Sequence, residues 1–205
     1  MTGPTVVKLG GSYAGAAECR EWLEALAQCR GQVVVVPGGG PFAETVRDAQ
    51  RAMGFDDRAA HRMALLAMEQ YACALANLGG CELATSADEI RRVLGLHGLP
   101  VWAPTSMVLD ASELPQSWGL TSDSLAAWLT GKLRVRRLLL VKRSVPCPRG
   151  LAASALAAAG LVDPLFPRFL GASGAEGYIA GPADHAAAAA AIRSAAPPGL
   201  RIALP

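Results

Sequence analysis

Apolar runs of about five residues recur along the chain, and most are followed by a stretch whose apolar residues fall at helical spacing. "TVVKL" (5–9) precedes "AAECREWLEALAQC" (16–29), and "QVVVV" (32–36) precedes a helix starting near Pro41, which suits a first helical position. Short continuous apolar runs bounded by glycine or proline predict strands buried on both faces, whereas the 3.6-residue spacing predicts helices. A long helix is expected over about 57–77, "DRAAHRMALLAMEQYACALAN". "CELAT" (81–85) reads as a short strand, and "SADEIRRVLG" (86–95) opens as a capping box, with Ser86 followed three residues later by Glu89. "VWAPTSMVL" (101–109) predicts one or two strands interrupted by proline. "LTSDSLAAWLTGKL" (120–133) predicts a helix with a polar cap, and "RRLLLVK" (136–142) a buried strand.

The last quarter is alanine-rich. "GLAASALAAAG" (150–160) and "VDPLFPRFLGASG" (162–174) lead to a strand "GYIA" (177–180), a helix "ADHAAAAAAIRSAA" (183–196) and a final strand "LRIAL" (200–204). Alanine helices form readily and pack closely on a sheet. No internal repeat or long linker interrupts the series, so one domain over 1–205 is expected. Strands alternating with helices imply an α/β fold, a mostly parallel sheet covered on both faces. In such sheets ligands bind beyond the carboxyl ends of the strands.

Composition narrows the function. The 205 residues are 52% hydrophobic and 18% charged, with a net charge of +2 and no charge runs. That pattern predicts no nucleic-acid partner and no polybasic membrane anchor. No apolar run approaches a membrane span, and the amino end "MTGPTVVKLGG" lacks the regions of a signal peptide, so a soluble cytoplasmic protein is expected. Cys19, Cys29, Cys73, Cys81 and Cys147 form no CxxC pair and read as free thiols; His61, His97 and His185 lie far apart, so no metal site is expected. The basic residues are 16 Arg and 3 Lys: Lys8, Lys132 and Lys142. An ammonium is a compact point charge that sits end-on to one phosphate oxygen, so two lysines at strand ends stand out.

Two strand ends run into glycine: "VVKLGGS" (6–12) and "VVVVPGGGPFAETVR" (33–47). A turn without Cβ atoms lets backbone N–H groups approach an anion, and the following helix adds the positive end of its dipole. One such turn is as readily a bare strand-to-helix connection; two make an anion cradle the better reading. Neither has the spacing of a P-loop or of a dinucleotide-binding fingerprint. "TSDSLAAWL" (121–129) places Asp123 at a helix start, where it also suits the helix dipole, and "LLLVK" (138–142) ends a strand in Lys142.

In this order and spacing, the four motifs resemble the amino acid kinase superfamily, over nearly the whole chain. The resemblance implies a three-layer αβα sandwich around a mostly parallel sheet of about eight strands, and ATP-dependent phosphoryl transfer with Mg2+ to a small molecule. It implies that Lys8 neutralises the transferring phosphate and that Asp123 positions the lysines, with Lys142 as the third catalytic residue. It assigns Gly10, Gly11, Ser12, Gly39 and Gly40 to the phosphates, and Gly38 and Thr121 to the acceptor side. A homo-oligomer, dimer or higher, is also implied. Two departures stand out: many relatives continue D-x-D-G after the strand ending at Lys142, where this chain reads "RSVPCP", and no later lysine follows. Lys142 itself or an arginine such as Arg168 would supply that charge. The segment 143–175, where relatives build the adenine site, reads as short and loop-like.

The helix after the second glycine turn faces the acceptor in this family, and here it offers Arg58, His61 and Arg62 within about a turn. Singly each reads as a solvated position; together they suit an acceptor that already carries a phosphate. At this length no regulatory domain is expected. It most resembles a compact branch of the family acting in one-carbon cofactor biosynthesis, which converts an aminomethyl-furan-methyl phosphate to the diphosphate on the route to methanofuran. The rival reading is a non-catalytic member that binds nucleotide or oxyanions, as storage proteins of the superfamily do.

Overall fold

The computed structural model describes residues 3–144 and 152–204, so Cys147 and most of "RSVPCP" lie outside the described residues. Seven strands form one sheet: β1 (Thr5–Leu9), β2 (Val33–Pro37), β3 (Glu82–Ala84), β4 (Pro100–Trp102), β5 (Arg137–Val141), β6 (Glu176–Ala180) and β7 (Leu200–Ile202). Their order is β3-β4-β2-β1-β5-β6-β7, parallel throughout except where β7 pairs antiparallel with β6. The architecture is the expected α/β sandwich, with seven strands where about eight were expected.

The central strands β1, β2 and β5 are buried along their whole length, as their unbroken apolar runs require. Successive side chains of a strand point to opposite faces, so each strand feeds both halves of the core. Val6, Val34, Val36, Leu138 and Leu140 pack with α6 (Ser122–Leu133) and α8 (Phe166–Ser173). Val7, Leu9, Val33, Val35, Leu139 and Val141 pack with α1 (Ala17–Ala27) and α9 (His185–Arg193). This parity decides where Lys8 goes: it shares the face of Val6 and therefore projects toward α6.

The remaining helices are α2 (Gly40–Met53), α3 (Asp57–Gly79), α4 (Ala87–Gly95), α5 (Thr105–Leu109) and α7 (Ala153–Ala158). Ser86 caps α4 as its spacing predicts, its Oγ accepting from Glu89 N–H, while the Glu89 carboxylate reaches one residue past the cap and accepts from Thr85 N–H.

Three expectations are corrected. "VWAPTSMVL" yields one strand that closes at Trp102, and then the helix α5 where a second strand was allowed. Pro104 ends the strand and sits as the N-cap of α5, while the free N–H of Thr105 donates to Glu69 Oε1 at 3.0 Å. The described part of 143–175 holds α7 and α8 rather than loop. Pro167 occupies the first turn of α8, where a missing N–H costs nothing. Finally, α2 begins at Gly40, one residue before Pro41. No helix among the described residues is long and apolar enough to cross a membrane.

Candidate active site

At the carboxyl end of the sheet, Lys8 from β1 and Lys142, just past β5, converge on Asp123 in the first turn of α6. Lys142 Nζ donates to Asp123 Oδ2 at 2.6 Å, and Lys8 Nζ stands 3.1 Å from Oδ1 as an ion pair. Lys8 and Asp123 are buried, at 4% and 3% exposure, so neither charge is screened by solvent. The backbone of Lys142 is fixed from both sides: its N–H donates to Ala180 O at 2.9 Å, and its carbonyl accepts from the Tyr13 hydroxyl at 3.0 Å. Burial pushes the Tyr13 phenol up to about 12, so it stays a donor.

Two ammonium groups share one carboxylate, which leaves the contact cluster with a surplus positive charge. Burial alone would raise the Asp123 carboxyl, but the ammonium groups of Lys8 and then Lys142 outweigh it and hold Asp123 below the usual carboxylate range. For Lys8 the balance goes the other way. Burial is the largest effect and the neighbouring Lys142 charge adds to it, so Lys8 lies below the ordinary lysine value despite Asp123. An anion entering the site relieves that penalty.

Both glycine turns open beside this cluster. They are packed backbone against backbone: a Cβ on Gly11 would lie 2.2 Å from Gly40 N, and one on Gly38 2.3 Å from Gly11 N. Gly40 itself has φ +56°, in the left-handed region. The glycines are therefore required by the meeting of the two turns as well as by any ligand. The N–H groups of Gly10 and Gly38 are committed to Val141 O (3.3 Å) and Leu9 O (3.0 Å). Gly11, Ser12, Gly39 and Gly40 instead line a cavity of about 550 Å³, together with Lys8, Asp123 and Lys142. The amino terminus of α2 leaves its first N–H groups without partners inside the helix, which suits an anion.

The far end of the cavity is apolar, walled by Leu65, Met68, Leu120, Leu125 and Trp118. Trp118 donates its indole N–H to Gln50 Oε1 at 2.6 Å, and the Arg47 guanidinium lies 4.4 Å from the Trp118 ring centroid. Glu44 and Arg47 pair with each other, one turn apart on α2, and both line the cavity. Of the three predicted acceptor residues on α3, only His61 is turned inward, buried, and on the cavity wall. Burial holds its imidazole below the ordinary histidine value. Arg58 and Arg62 are exposed and do not line the cavity. Each helical step turns 100°, so Arg62 leaves the arc on which His61, Leu65 and Met68 lie. Arg168 is away from the site, its guanidinium 5.4 Å from the Phe169 ring.

Thr121 lines the cavity, but its hydroxyl is spent on Asp163, a residue for which the sequence offered no signal. Arg47, Glu44 and Trp118 also went unassigned. For Arg47 and Glu44 a signal existed: counted from Gly40, positions 44 and 47 fall on one face of the helix that starts at the cradle.

The matches to known proteins agree with this geometry. Residues 3–144 match the model of the amino acid kinase family, and the chain belongs to that family. It is 26% identical over 139 residues to the [5-(aminomethyl)furan-3-yl]methyl phosphate kinase of Methanocaldococcus jannaschii; the match covers 66% of this chain and 63% of the length of that relative. Its fold is similar to that of uridylate kinase from Archaeoglobus fulgidus, with a TM-score of 0.70 and 19% identity over 97% of this chain and all of that one. It is also similar to T. acidophilum isopentenyl phosphate kinase, with a TM-score of 0.62 and 14% identity over 98% of this chain and all of that one.

The charge cluster makes a signed prediction about stability. Asp123→Asn leaves the buried Lys8 ammonium and the half-buried Lys142 ammonium without a counterion, at a cost of about 3–5 kcal/mol at neutral pH. A base whose folded-state pKa is depressed destabilises in full below that pKa, and the penalty shrinks as pH rises from there toward the unfolded-state value. The melting temperature of Asp123→Asn is therefore expected to lie well below wild type at pH 7, with a smaller deficit at pH 10. A pH-independent deficit would show that the loss comes from packing rather than from unpaired charge.

Proposed function

We propose that the protein is an ATP-dependent kinase that transfers a phosphoryl group to a small acceptor already carrying a phosphate. The observation that carries this reading is one buried and one half-buried ammonium group on a single buried carboxylate, lining a cavity where two glycine turns meet. Phosphoryl transfer needs little covalent help; it needs the donor and acceptor oxygens in line and the negative charge neutralised. Lys8 and Lys142, held by Asp123, supply positive charge where the transferring group would pass. The N–H groups of Gly11, Ser12, Gly39 and Gly40 would hold donor phosphates.

The residues present suit Mg2+ only as a companion of the nucleotide. Asp123 is engaged by both lysines, and no group of three His, Cys, Asp or Glu side chains gathers among the described residues. Bound with ATP, the ion would add charge neutralisation at the phosphates.

Asp123 is likewise spent as a proton acceptor, which favours an acceptor phosphate over a hydroxyl, since a phosphate oxygen is already anionic at neutral pH. The finer reading is an aminomethyl-furan-methyl phosphate, converted to its diphosphate in methanofuran-type one-carbon metabolism. The relative named for that activity motivates it, and the apolar end of the cavity supports it. Leu65, Met68 and Trp118 offer walls for a small flat ring, Arg47 a partner for the acceptor phosphate, and Glu44 a carboxylate for an ammonium group. A homo-oligomer in the cytoplasm completes the reading. The alternative, a member that binds nucleotide or oxyanions without turnover, is favoured by the absent D-x-D-G run after Lys142.

Two experiments test this function. Lys8→Met removes the surplus charge while Asp123 keeps Lys142, so its melting temperature is expected to equal or exceed wild type. Its kcat, followed by ADP release with the phosphorylated aminomethyl-furan as acceptor, is expected to fall a hundredfold or more, about 3 kcal/mol. Near-normal turnover would refute the assignment. Arg47→Ala is expected to raise the acceptor KM by roughly tenfold to a hundredfold, the loss of one hydrogen bond to a charged group, with the ATP KM nearly unchanged. Arg58→Ala and Arg62→Ala are expected to do much less; a larger effect from either would return the acceptor site to that face of α3.

A further inference from the structure

Asp163 lies between α7 and α8, buried at 8% exposure, and no cation among the described residues pairs with it. A buried carboxylate without a counterion survives only if hydrogen bonds replace its water. Five donors do so here. Oδ2 accepts from Thr121 N–H at 3.1 Å, Thr121 Oγ1 at 2.9 Å and Ser124 N–H at 3.0 Å. Oδ1 accepts from the Ser124 hydroxyl and from Leu165 N–H, the latter at 3.1 Å.

Four of the five donors belong to the amino terminus of α6. That helix has no cap from its own N-cap side chain, since Thr121 turns its hydroxyl to Asp163 instead. A residue some forty positions away thus satisfies the free N–H groups of the helix and places a negative charge at the positive end of its dipole. The two residues it grips, Thr121 and Ser124, bracket Asp123. Between them Asp123 faces the opposite way, toward Lys8 and Lys142.

We propose that Asp163 is a positioning residue for phosphoryl transfer. By clamping both flanks of Asp123 it fixes the carboxylate that in turn fixes the two lysines, and it ties the α7–α8 segment to the reacting centre. It touches neither the lysines nor the cavity, so its positioning effect passes through Asp123, while its charge also reaches Lys8 at longer range and favours the ammonium form. The proposal rests on the kinase reading above for its rate effects.

The test is a double-mutant cycle of Asp163→Asn and Asp123→Asn, read well below the melting temperatures. Asparagine keeps the size but turns an N–H2 group toward donors that need an acceptor. Asp163→Asn is expected to lower kcat at least tenfold, with ATP and acceptor KM within about threefold of wild type. In the Asp123→Asn background the same change is expected to cost much less than in wild type, because the group it positions is already lost and only the longer-range effect of its charge on Lys8 remains. Ser124→Ala, which deletes one donor, is expected to lower kcat in the same sense by less and covers the case in which Asp163→Asn does not fold. Wild-type-like kcat in folded Asp163→Asn, or losses that multiply fully in the double variant, would overturn the proposal. The same cycle read as urea midpoints of the ligand-free proteins does not depend on turnover. There the two substitutions are expected to be coupled, and strictly additive shifts would also count against the clamp. A wild-type protein with no turnover at all would instead overturn the kinase reading, leaving the urea cycle to judge the clamp.

Discussion

The structure depends on one buried carboxylate holding two ammonium groups, one buried and one half-buried. Asp123 with a single lysine would be a buried ion pair of the kind that hydrophobic residues replace at little loss of stability. With two lysines the contact cluster carries one more positive than negative charge: burial of Lys8, which sits below its ordinary value, works against the fold, while the depressed Asp123 carboxyl works for it. Such an arrangement is intelligible as part of a functional site, where stability is given up for a field that awaits a charged ligand. The surrounding structure is consistent with holding that field in place.

Each support comes from a different part of the chain. The pleat of β1 sends Lys8 to the α6 face, and parallel pairing of β1 with β5 brings Lys142 alongside. Tyr13 and Ala180 pin the Lys142 backbone, Asp163 pins the start of α6, and the two glycine turns interlock above the cluster. The close approach of Gly11 to Gly40 means that the turns set each other's position, so the cradle and the lysines are placed by one continuous packing rather than by separate loops.

Much of this was legible in the sequence because it is local. Buried parallel strands announce themselves as unbroken apolar runs, and a lysine at the end of such a run, beside glycine, is visible without coordinates. The Ser86 cap of α4 was legible for the same reason. What sequence hid was tertiary. Whether an arginine on a long helix faces a cavity depends on which arc packs, so Arg58 and Arg62 read as equals of His61 although only His61 turns inward. The roles of Thr121 and Asp163 depend on a contact across forty residues, and no spacing rule reaches that far. Pro104 read as an interruption of strand because a helix start and a strand break use the same residue.

The central claim is that the surplus charge at Lys8 exists to meet phosphate. If so, a nucleotide entering the site restores the Lys8 pKa, and binding takes up a proton wherever the free protein has released one. Calorimetric titration of MgADP into the protein, in buffers of different ionisation enthalpy from pH 7 to pH 10, measures that uptake directly. The account predicts net proton uptake that grows toward alkaline pH and disappears in Lys8→Met. Binding with no proton uptake at any of these pH values, or uptake that survives in Lys8→Met, would contradict it.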